Sequence, residues 1–84
     1  MPEIYVATSI YNEKYGEPSV SVLAVGSYEA CKSVIRNEWK RIAEHEFLEE
    51  FDESEDKQWV CSVEDTLPYT KTFELHKVDT LVGL

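Results

Sequence analysis

Apolar and polar side chains follow one another in an order that divides the chain into five elements. Ile4-Tyr5-Val6-Ala7-Thr8-Ser9-Ile10-Tyr11 is rich in β-branched and aromatic residues and sets Ile4, Val6 and Ile10 on one side at period two, as a strand does. Asn12 to Pro18 contains Asn, Gly and Pro, which supply turn dihedrals or block ladder pairing. Ser19 to Val25 then resumes as a second apolar run, so the two strands read as a hairpin. After Gly26 the period changes. Ser27 is a good N-cap and Glu29 suits the positive end of a helix dipole. Cys31, Val34, Ile35, Trp39 and Ile42 form one stripe at three-and-four spacing, with Lys32, Arg36, Lys40 and Arg41 turned mainly away from it.

Past Ala43 the stripe loses phase. Its continuation falls on His45, Glu46 and Glu49, which are polar, while Phe47, Leu48 and Phe51 point to the opposite side. A helix running on to Asp56 would stack like charges at Glu46/Glu50, Glu49/Glu53 and Asp52/Asp56, each costing about 0.2–0.5 kcal/mol. It would also gather acid at the negative end of the dipole, so the helix is expected to end near Phe51. Trp59, Cys61 and Val63 alternate with Gln58, Ser62 and Glu64 as a third strand. Glu64 to Thr70, with Pro68 inside, is a loop, and Thr72 to Val78 alternates again as a fourth strand with Phe73 and Leu75 on one face. Leu81 to Leu84 is an apolar tail, expected to dock or to add a short strand.

This β-β-α-β-β order predicts the α+β class: a single domain over residues 1–84, with one long helix on one face of an antiparallel four-stranded sheet. A right-handed passage of the helix over the sheet would bring strand three beside strand one and give the order 2-1-3-4. The second sheet face is left open, and Tyr5, Tyr11, Leu23, Val25 and Val60 are expected on it. That is more apolar than a free surface usually is.

Composition fits one small core. With 84 residues, 43% of them hydrophobic, the chain has material for a compact fold but not for two. No apolar run approaches the roughly 18–20 residues of a membrane span. The start Met1-Pro2-Glu3-Ile4 lacks the basic and apolar stretches of a secretory signal, so the expected location is the cytoplasm. Cys31 and Cys61 are too few and too far apart for a disulfide scaffold or a CxxC motif, and read as small buried hydrophobes.

Charge changes the picture more. The net charge is -9, and the stretch from Glu44 to Asp56 holds eight carboxylates with no Lys or Arg, while the rest of the chain is nearly neutral. This sign argues against direct contact with nucleic acid or an anionic membrane and favours a basic partner. Catalytic chemistry is thinly supplied. His45 and His76 stand far apart without a triad or metal set, and Gly16, Gly26 and Gly83 form no phosphate loop. Neither a catalytic residue nor a cofactor is expected. Asp52-Glu53-Ser54-Glu55-Asp56 begins like a calcium loop, but its sixth position falls on Lys57 instead of Gly and its twelfth on Val63 instead of Glu. No metal is assigned.

The segment that remains is Glu44, Glu46, Phe47, Glu49, Glu50, Phe51, Asp52, Glu53, Glu55 and Asp56, carboxylates with aromatic residues set among them. One account makes it a solvated helix end and loop whose apolar residues finish the core. The other makes it a binding site in which spaced carboxylates imitate a phosphate backbone and Phe47, Leu48 and Phe51 act as apolar anchors.

The run Ile4-Tyr5-Val6-Ala7-Thr8-Ser9, the return Val20-Ser21-Val22-Leu23-Ala24-Val25, and Ser27-Tyr28-Glu29-Ala30 opening a helix to Trp39 resemble small phage-encoded host-takeover proteins of β-β-α-β type. The architecture is loosely similar to that of T7-like phage inhibitors of host RNA polymerase. The likeness spans about Glu3 to Trp39; the acidic segment and second hairpin depart from it, and it carries over no functional residue. It implies a phage or mobile-element protein acting in the host cytoplasm. As a DNA mimic, such a protein would use its acidic patch to inhibit or modulate a host polymerase, nuclease or CRISPR effector. The competing expectation is a non-catalytic interaction or assembly module, a homodimer among its forms, that uses the open sheet face.

Overall fold

The computed structural model describes residues 3–46, 48–64 and 68–78. Five elements follow in the expected order: β1 (Ile4–Glu13), β2 (Ser19–Gly26), α1 (Tyr28–Ala43), β3 (Gln58–Val63) and β4 (Tyr69–Val78). The strands form one four-stranded antiparallel sheet with α1 against one face, a small α+β domain.

The strand order is β2-β1-β4-β3, which corrects the expected 2-1-3-4. Length decides it. β1 and β4 have ten residues each and pair along their whole length, from Ile4 opposite Val78 to Glu13 opposite Tyr69. The six-residue β3 offers β1 fewer ladder bonds and takes the edge beside β4. Residues 44–57 form a connection long enough to carry the chain from α1 past the site of β4 to that edge.

Ser27 caps α1 as expected, its hydroxyl accepting from the Ala30 amide at 3.1 Å, with Glu29 in the first turn and Lys40 and Arg41 in the last. The helix stops at Ala43, well before Phe51. The early stop resolves the loss of phase: once the chain leaves the helix, Leu48 and Phe51 can turn back toward the core, where both pack. That core consists of Ala7, Cys31, Ile35, Trp39, Trp59, Cys61, Phe73 and Leu75. Lys32, expected to face away, is only 6% exposed because the connection lies over that side of the helix.

In β1 the period was right and the phase inverted. Ala7 and Ser9 are buried under α1, and register places Ile4, Val6 and Ile10 on the opposite face. A helix lying close on a sheet leaves room only for small side chains directly beneath it, so the bulkier residues take the open side. Tyr5 and Leu23, expected on the open face, pack against the core instead, and Tyr11 lies against Tyr69 on the helix side with ring centroids 5.0 Å apart. Leu23 is the extra residue of a β-bulge opposite Ala7 and Thr8, which brings both Leu23 and Ala24 to the core.

Candidate binding surfaces

The acidic connection is a well-anchored loop on the helix side of the sheet. The Trp39 indole N–H donates to the Glu49 carbonyl at 3.0 Å, and that of Trp59 to the Asp52 carbonyl at 2.9 Å. Between these anchors Phe51 stacks on Trp59, centroids 5.0 Å apart and planes at 17°, and meets Trp39 edge-on at 6.1 Å. The Lys32 ammonium reaches the Glu53 carbonyl at 2.7 Å and the Tyr28 hydroxyl at 3.1 Å, and stands 3.5 Å from the Asp56 carboxylate. Burial pulls the Lys32 pKa down, but the Tyr28 oxygen and Asp56 outweigh it and leave the ammonium above its ordinary value.

Half of the segment's carboxylates are committed to holding it. Glu53 accepts from Arg36 at 2.6 and 2.9 Å, which lowers its pKa and raises that of the guanidinium. Asp56 accepts from the Tyr28 hydroxyl, which lowers its pKa. Asp52 closes a turn by accepting from the Ser54 amide at 3.0 Å and from its hydroxyl, again below the usual carboxylate range. Glu55 accepts from the amides of Asp56, Lys57 and Gln58 at 3.0–3.4 Å and so caps the entry to β3. These four carboxylates, which in sequence suggest a calcium loop, are spread over separate local partners. The Glu44, Glu46, Glu49 and Glu50 side chains have no hydrogen-bond or ion-pair partner among the described residues; Glu46 is half-buried and the other three are exposed. Phe51 is half-buried and packs against the core through Trp39 and Trp59, and Phe47 lies outside the described residues.

At the C-terminal end of α1, Tyr11, Arg41, His45, Glu46, Tyr69 and Lys71 line an open cleft of about 330 Å³. Its guanidinium is already paired with Glu38 at 2.6 Å. Cys31 and Cys61 are buried free thiols; the Cys31 thiol donates to the Tyr5 carbonyl, and burial raises the pKa of Cys61. Among the described residues neither thiol has a basic side chain within hydrogen-bond reach. His45 and His76 are both exposed, and His76 lies 3.6 Å from Glu74.

The open sheet face is built differently. Register aligns Val20, Ile10, Thr72 and Val60 in a row across all four strands, with Val22 beside Thr8 on one side of that row and Val25 beside Val6 further along. Val20, Val22, Val25 and Val60 are 66, 65, 64 and 52% exposed. The ionisable residues that register adds to this face are Glu74 and His76. Val25 and Val60 were expected here, whereas Ile4, Val6, Ile10, Val20 and Val22 were not. A signal for the last two was present, since β2 alternates Ser19-Val20-Ser21-Val22 without a charge, the pattern of a strand whose valines share one face.

Comparison with protein-family models, with curated proteins and with solved structures finds no match to this chain. Among the described residues no helix is long and apolar enough to cross a membrane.

Proposed function

We propose that this chain is a non-catalytic protein-binding module and that it binds through the open face of its sheet. One observation carries the reading: four valines more than half exposed share a face with Ile4, Val6 and Ile10, a concentration of exposed apolar side chains of the kind that marks interaction sites. Water against that face is a standing cost, and the described residues leave it uncovered. The two buried thiols suit a reducing compartment, which supports the cytoplasm as the place of action.

A second reading keeps the acidic surface as the contact for a basic partner, such as the groove of a host polymerase, nuclease or CRISPR effector. It is favoured by Glu49 and Glu50, exposed, unpaired among the described residues and held in place by the Trp39 bond to the Glu49 carbonyl. Affinity capture separates the two readings. Val22→Asp combined with Val60→Lys is expected to abolish capture of partners from a lysate, while Glu49→Lys with Glu50→Lys leaves capture intact. The reverse pattern would transfer the function to the acidic loop.

A further inference from the structure

Building on the open-face reading, we infer that the partner is a second copy of this chain, packed sheet to sheet about a two-fold axis lying between the two open faces. Charge distribution is the first ground. The chain carries -9, its excess concentrated in the segment that packs beside α1, whereas among the described residues the open face adds only Glu74 and the His76 imidazole 3.6 Å from it. Two copies repel through their acidic loops and come together at least cost with those loops pointing apart. Sheet-to-sheet packing does this, because it puts both helix layers on the outside.

Shape is the second ground. An isologous interface needs a patch that complements itself, and a pleated face dominated by valine, isoleucine and threonine is stiff at χ1 and interdigitates with another of its kind. Size is the third. At strand spacing of about 4.8 Å and rise of about 3.3 Å per residue, four strands of six to ten residues present roughly 500 Å² of flat sheet per copy. The pair thus reaches about 1,000 Å² before pleat and side-chain relief are counted, where specific interfaces begin.

Sedimentation equilibrium on the full chain tests this, with Val22→Asp on β2 and Val60→Lys on β3 as separate variants, far-UV circular dichroism as the folding check, and binding of a hydrophobic fluorescent dye as a third readout. The wild type is expected at twice 9.7 kDa. Each variant is expected to retain its spectrum and to weaken association by roughly thirtyfold or more. Added salt should hold the dimer or tighten it, since the long-range force between the copies is repulsive. Loss of the dimer in Val22→Asp alone would overturn the inference in favour of pairing along the β2 edge. A dimer surviving both changes would place self-association elsewhere and overturn it too. A monomeric wild type would also overturn it. In that case dye binding that both variants abolish would keep the open face as a surface for another protein, and no dye binding would remove that reading as well.

Discussion

Lys32 and Glu53 define the chemistry that holds the connection after α1. The ammonium is buried beneath the loop and bridges a carbonyl, a phenol oxygen and a carboxylate, while both Glu53 oxygens accept from Arg36, one from Nε and one from Nη2. Glu53, Asp56 and Asp52 all have pKa values below their ordinary ones. Groups shifted in that direction lend stability that is fully present above the unfolded carboxylate range of about 4 and disappears as pH falls through their lower folded values. Acidification should therefore release the loop before the sheet melts. Because Trp39 and Trp59 both donate to loop carbonyls, their fluorescence is expected to change below about pH 4 while the β-sheet circular dichroism persists. Simultaneous loss of both signals would show that the loop has no separate acid transition. The acidic run was visible in the sequence, but its internal use was not. Which carboxylate meets Arg36 or Lys32 depends on where the helix stops, and composition does not carry that.

At the level of elements, the hairpins, the helix start and the alternation of β3 were legible because each is a local pattern: a cap with a first-turn acid, or a run in which every second residue is buried. The helix cap has a measurable weight, since the Ser27 hydroxyl satisfies the Ala30 amide. Ser27→Ala is expected to lower unfolding free energy by about 1 kcal/mol in urea denaturation, and Ser27→Asp to restore most of it. Equal stability of all three would detach the cap from the fold's energetics. What escaped the sequence was non-local. The place of β4 beside β1 follows from ten paired positions between distant segments, and the phase of β1 from the tight space that Ala7 and Ser9 fill under α1. The bulge at Leu23 likewise sends a residue to the core that strict alternation assigns to the open face.

For the whole molecule, the two layers have opposite characters. The helix side is acidic, and there the carboxylates of Asp52, Glu53, Glu55 and Asp56 serve the fold; the sheet side, among the described residues, is nearly uncharged and exposes valines. On the proposed reading the sheet side is the one that becomes covered. Methyl NMR with a soluble paramagnetic agent, at concentrations where self-association is complete, observes this atom by atom. The methyl signals of Val20, Val22, Val25 and Val60 are expected to be shielded from the agent while the amides of Glu49 and Glu50 are strongly broadened. Valine methyls broadened as severely as the exposed hairpin turn at Tyr15 would contradict it.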